Sequence, residues 1–210
     1  GLDAPLGLWA QVDETDLAFL RRLDATAQLS GTLDGKLTFG WSPVGQQINI
    51  ENLSARSLST RSKWLEEDQL LVPLLEVSGS ASATRANWQV PDFRLTSEIM
   101  QLTLAGNGDF GGVPVNESWS RIASWLPRSR WRAAGKINVA ALTSRFPKTL
   151  HLRAGTRLTS GDVSFDLASQ SETVSQRWTG EIKAESLTAR AGDEIVRWEH
   201  LLHLFFQNLY

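Results

Sequence analysis

Apolar and polar residues alternate with period two along most of the chain. In the run Gly31–Trp41, Leu33, Leu37, Phe39 and Trp41 share one face, while Thr32, Asp34, Lys36 and Thr38 share the other. That is the signature of a strand with one dry side and one wet side. The pattern returns at Ile48 and Ile50, at Leu70, Val72, Leu75 and Val77, and at Met100, Leu102 and Leu104. It returns again at Ile137 and Val139, at Val163, Phe165 and Leu167, and at Ile182. One-sided alternation belongs to antiparallel sheets, so the pattern predicts a mainly β chain.

Three segments carry helical spacing instead. Asp13–Leu23 brings Leu17, Phe19 and Leu20 together, with Asp13 or Thr15 as N-cap. Asn116–Leu126 aligns Trp119, Ile122, Ala123 and Leu126 before Pro127 stops it, and the shorter Ala140–Phe146 is stopped by Pro147. Each segment leads into a new run of strands, so the unit is a helix followed by a β-meander. Internal similarity supports a repeat of that unit. Ile48–Arg56 resembles Ile182–Arg190 without a gap, 134 residues on, and Lys63-Trp64 then meets Arg197-Trp198. Ser30-Gly31 meets Ser160-Gly161 at a spacing of 130. Two units follow: residues 1–130, and residues 131–210 with the second unit stopping short at its C-terminal end.

Composition removes several classes of chemistry. With no cysteine, disulfides, thiolate metal sites and a cysteine nucleophile are excluded. The net charge of −2 gives no electrostatic reason for a nucleic-acid partner, and Arg128, Arg130 and Arg132 read as a solvated strand face. His200 and His203 are spaced like a metal pair but lack a third ligand of matching spacing, so no metal or other cofactor is expected. Gly106-Asn107-Gly108 and Gly111-Gly112 lack the lysine and following helix of a phosphate loop and read as hairpin turns or bulges. Glu66-Glu67-Asp68 reads as a solvated turn. No catalytic set emerges, and the expectation is a protein that is not an enzyme. Nine tryptophans against one tyrosine are unusual. Exposed, they would stack on sugars. Trp41 and Trp88, however, fall where alternation puts them in the dry layer.

No stretch approaches the roughly 20 apolar residues that span a bilayer. The start Gly1-Leu2-Asp3 has no initiator methionine, basic region or apolar leader, and Leu201–Phe206 is still apolar near the end. Both ends read as cut from a longer protein, so any anchor would lie in segments outside this sequence.

Three stretches together resemble the AsmA-like superfamily of Gram-negative envelope proteins. They are Leu29–Trp41; Trp88–Glu98 with Leu102–Gly106 after it; and Ala141-Leu142 through Phe146-Pro147 with Leu158–Leu167. A short helix ending in leucine or phenylalanine plus proline, then a strand opening with Ser-Gly, is similar to that superfamily's repeat. The resemblance implies an extended, curved, taco-like antiparallel sheet of β-meander repeats with two or three short helices. It further implies a periplasmic protein, anchored in the inner membrane by its parent chain, whose concave apolar groove guides phospholipids toward the outer membrane. Membrane contact would come only through the absent segments, and the rest of the parent would join through the sheet edges.

The lipid-facing candidates are Leu33, Leu37, Phe39, Ile48, Ile50, Leu102, Leu104, Val163, Phe165 and Leu167. An apolar sheet face must be covered by helices, a second sheet or acyl chains. The pattern alone leaves open an open groove and a closed core. It also leaves open two other readings, a β-sandwich that binds glycans and a purely structural repeat.

Overall fold

A computed structural model describes residues 5–18, 28–61, 65, 68–109, 129–152, 155–171, 176–198 and 202–209. Among these residues eleven strands form one antiparallel sheet: β1 Leu6–Asp16, β2 Gln28–Ser42, β3 Gly45–Arg61, β4 Leu70–Thr84, β5 Asn87–Ser97, β6 Met100–Asp109, β7 Ser129–Asn138, β8 Thr156–Ser171, β9 Gln176–Ala191, β10 Glu194–Trp198 and β11 Leu202–Leu209. Strands β1 to β10 lie side by side in chain order. β10 pairs with Leu187–Ala191 of β9, and β11 pairs with Trp178–Ala184 of the same strand. The last two strands therefore share one edge in tandem. One α-helix is present among the described residues, α1 Val139–Arg145. The fold is mainly β and antiparallel, as the alternation predicts, and it is the open, curved meander that the resemblance implies.

Local chemistry sets the turns. At three hairpins a Ser or Thr hydroxyl accepts the backbone N–H three residues on: Ser42 from Gly45 at 3.2 Å, Thr84 from Asn87 at 3.0 Å, and Ser97 from Met100 at 3.1 Å. Such a bond offers the backbone a closed turn in place of a further ladder rung. α1 starts where the Asn138 side chain accepts the N–H of Ala141 at 2.9 Å, and it ends at Phe146.

The well-buried core is small and lies at one end of the strands. Leu17, Ala55, Leu58, Val72, Ile99 and Phe146 form it, with Leu33, Leu75, Ala141 and Leu142 packed against them. These residues come from β2, β3 and β4, from the turn after β1 and the β5–β6 turn, and from the helix after β7 with its C-cap. α1 thus acts as a wedge along one rim and draws distant strands around it. A polar clamp holds the wedge. The Asp68 carboxylate, in the β3–β4 connection, accepts from Lys148 N at 3.0 Å and Thr149 N at 2.7 Å, with the Thr149 hydroxyl at 2.9 Å. Arg145 also pairs with Glu98 of the β5–β6 turn at 2.6 Å.

Four sequence expectations change. The helix expected over Asp13–Leu23 is strand as far as Asp16, followed by a single 3₁₀ turn at Leu17-Ala18, with 19–23 outside the described residues. A register shift between Val12 and Thr15 takes up one extra residue; Glu14 has φ 42°, and its N–H donates to Asp34 Oδ1 at 2.9 Å. Pairing with β2 outweighs helical spacing there. The cap is Asp16, which accepts the N–H of Ala18 at 2.8 Å. Second, Asp68 is not solvated but 8% exposed, because it satisfies donors of the turn after α1. Third, Gly106-Asn107-Gly108 is neither turn nor bulge but continuous strand. The helix expected over Asn116–Leu126, Gly111-Gly112 and Glu66-Glu67 lie outside the described residues.

The fourth change is the register of the internal match. Gly31 and Gly161 have φ of 129° and 128°, and each faces a left-handed serine, Ser57 at 51° and Ser186 at 53°. A Cβ on Gly31 would lie 3.2 Å from Leu58 Cα, and one on Gly161 would lie 3.1 Å from Leu187 Cα. The same bulge recurs with spacings of 130 on one strand and 129 on its neighbour. The ungapped match of β3 to β9 at 134 is therefore five residues out of structural register. The boundary expected at 130/131 falls inside β7, through which the sheet is continuous.

Replacing Asp68 by Ala is expected to strand the backbone N–H groups of Lys148 and Thr149, while the Thr149 hydroxyl keeps the Leu65 carbonyl, and to lower unfolding stability by about 2–4 kcal/mol. Asp68→Asn, which keeps one acceptor oxygen, should lose less. Urea midpoints of the two variants check the order.

Candidate functional site: an apolar trough

Residues directly opposite in an antiparallel ladder present their side chains to the same face. By that rule all ten candidates, Leu33, Leu37, Phe39, Ile48, Ile50, Leu102, Leu104, Val163, Phe165 and Leu167, fall on one face. Leu33 pairs Ala55, Leu37 pairs Ile50 and Phe39 pairs Ile48. Ile50 leads through Gly79, Phe93 and Leu104 to Ala133 and Leu167. Leu102 reaches Phe165 through Gly135, and Val163 sits beside Ile137. This is the face on which the α1 wedge packs, so the sheet curves around it. Ten strand rows at about 4.8 Å give a trough about 45 Å long.

Its side chains are half-buried, while their neighbours on the outer face are mostly exposed, as in the alternating pattern of β5. Among the described residues no second sheet lies over this face, and helix covers it only at the wedge rim. The apolar surface also runs out to both edges. Leu8 on β1 is 56% exposed, and Leu204 on β11 is 51% exposed.

The sequence pattern missed several lining residues. Leu53 joins the face because an extra residue in β3, between Ile50 and Leu53, shifts the parity of alternation. Phe93 and Leu95 join it because a register shift between Val90 and Phe93 does the same in β5. Ile182 was legible, and Ala184 continues its row.

The rim opposite the wedge is aromatic. Trp41, Trp88, Trp131 and Trp178 all lie on the trough face near the far strand ends. Trp88 and Trp131 stack with centroids 4.7 Å apart at 35°. The Trp131 indole donates to Ser129 Oγ at 2.8 Å, and its backbone N–H donates to Ser169 Oγ at 2.9 Å. The rings rest on glycines. A Cβ on Gly106 would collide with the Trp131 ring, and one on Gly108 would lie 2.9 Å from Trp88 Nε1. Trp9 and Trp198, 71% and 53% exposed, sit on strands near opposite edges and form no shared platform. Trp64, Trp119 and Trp125 lie outside the described residues.

The outer face is polar. Lys36–Glu51, Arg132–Asp166 and Lys136–Asp162 are ion pairs at 2.9–3.0 Å. Exposed pairs of this kind contribute little stability, but they keep the back of the sheet wet. Hydrogen bonding to Asp166 holds the Arg132 guanidinium above its ordinary pKa. His203, one of the two spaced histidines, pairs with Glu181 at 3.0 Å, and His200 lies outside the described residues. The chemistry this arrangement offers is apolar contact over a long concave surface, bounded by one packed rim and one aromatic rim. Comparison with protein-family models, curated proteins and solved structures returns no match.

Glu181 is held below the usual carboxylate range, first by the hydrogen bond from Lys183 and then by that from His203. A carboxylate depressed in the folded state stabilises above its unfolded pKa, and the contribution is lost as pH falls through the folded value. Amide exchange in β11, corrected for intrinsic rates, should therefore accelerate as pH drops through and below the ordinary carboxylate range. Glu181→Gln should remove that acid step.

Proposed function

We propose that this chain is a lipid-guiding segment of an AsmA-like envelope protein, acting in the periplasm without enzymatic chemistry. Its trough holds phospholipid acyl chains on their way between the inner and outer membranes. The observation that carries the reading is the continuous apolar face spanning ten strand rows, covered among the described residues at one rim alone. Each methylene moved from water onto such a face contributes about 0.8 kcal/mol, so two acyl chains can be held without any hydrogen bond to them. A face of this kind gives little selectivity among chains and favours sliding along the trough. The resemblance of Leu29–Trp41, of Trp88–Glu98 with Leu102–Gly106, and of Ala141–Pro147 with Leu158–Leu167 to the superfamily's repeat supports the same assignment, with an anchor in the inner membrane supplied by the parent chain. A closed structural repeat would need a second apolar layer over this face. A glycan-binding sheet would need neighbouring exposed tryptophans, and Trp9 and Trp198 are far apart.

Native mass spectrometry of the protein purified from a bacterial envelope is expected to show bound phospholipid. Phe39→Asp and Phe165→Asp, each verified as folded by circular dichroism, should weaken binding by at least about tenfold, because an unpaired carboxylate against an acyl chain costs several kcal/mol. A folded protein that is free of lipid and takes none up from vesicles would count against the assignment.

A further inference from the structure

Just outside the tryptophan rim, on the polar side of the sheet, β5, β6 and β7 form a hollow of about 560 Å³. Pairing of Asn87 with Asp109, of Gln89 with Asn107, and of Asn107 with Arg130 puts these five polar side chains on one face. The edge of Trp88 and the bare backbone of Gly108 complete the lining. The hollow therefore meets the trough at the lip itself, with amides on one side and an indole on the other.

Its electrostatics differ from the rest of that face. Arg94 pairs with Asp92, Arg132 with Asp166 and Lys136 with Asp162. Arg130 has no such ion pair among the described residues. Its guanidinium stands in a lining of three carboxamides, Asn87, Gln89 and Asn107, and one carboxylate, Asp109. A guanidinium in that setting suits a phosphate, which it can grip through two parallel N–H bonds. Amides beside it suit ester and hydroxyl oxygens. The Trp88 indole N–H is buried at the same lip with no acceptor among the described residues.

We infer that this hollow is a headgroup site for phosphate-bearing lipids, with Arg130 on the phosphate and Asn107 and Gln89 on neighbouring oxygens. The acyl chains pass over Trp88 and Trp131 into the trough. This inference rests on the lipid-guiding reading and adds selectivity to it. The trough alone takes any apolar chain; the hollow prefers a lipid that carries phosphate. It also fixes the lip over which headgroups ride, because the wedge packs the other.

The test compares dioleoylphosphatidylethanolamine with dioleoylglycerol, which has the same chains and no phosphate, by native mass spectrometry of the full chain. Wild type is expected to bind the phospholipid about tenfold more tightly, the value of one charge-assisted contact. Arg130→Ala should remove that preference and leave dioleoylglycerol binding unchanged, and Arg130→Lys should restore part of it. Equal binding of both lipids by wild type, or a preference that survives Arg130→Ala, overturns the headgroup site and leaves the trough standing. Binding of neither lipid overturns both. Glycerophosphoethanolamine, which has no acyl chains, should bind far more weakly; if it binds as tightly as the full lipid, the hollow is a site for soluble phosphates instead.

Discussion

A single layer of sheet with one apolar face has to be bent and braced before it can keep a shape in water. In this chain the brace is the wedge made by α1 and Phe146, with Asp68 holding the turn behind it. The clamp joins residues about eighty positions apart, so it ties the β3–β4 connection to the segment between β7 and β8. Those elements are separated by several strand rows and share contacts only because the sheet curls. Apolar contact supplies the attraction, and the buried carboxylate supplies the geometry. The curvature of the whole face follows from this one rim.

The consequence is a cross-section with two unlike sides. At the braced rim, apolar side chains from β2, β3 and β4 meet Leu17, Ile99 and the helix and exclude water. At the other rim, indole rings lie on glycine backbone with nothing packed beyond them among the described residues. Tryptophan is suited to such a border because its ring is apolar and its N–H is not. Gly106 and Gly108 are there for clearance, since any side chain at either place would displace a ring. Polar ion pairs on the back of the sheet keep the two faces from being interchangeable.

Much of this was legible from the order of residues. Alternation in Gly31–Trp41 and in Val163–Leu167 gave the right strands and the right faces, because nothing in those runs breaks parity. It failed where a bulge adds a residue, as near Glu51 and Pro91, because the pattern then changes phase without any change in composition. It failed at Asp13–Asp16 because pairing with β2 outweighed a helical spacing. Asp68 could not be read as a clamp, since its partners stand eighty residues away and contribute backbone N–H groups that leave no mark in sequence. The glycines of β6 looked like turn formers because the rings above them come from other strands.

The meander sets a rule for how such a sheet can grow. From β1 to β9 each strand pairs only with its neighbours in the chain, so inserting strands there lengthens the trough and leaves its section unchanged. An inserted single strand, however, would reverse the direction of everything after it. Loops that now belong to the braced side would emerge on the aromatic side, and the brace would lose its footing. Only even insertions preserve handedness. The recurring glycine–serine bulge obeys this rule: it passes from β2 and β3 to β8 and β9, a displacement of six strands, and reappears on the same side.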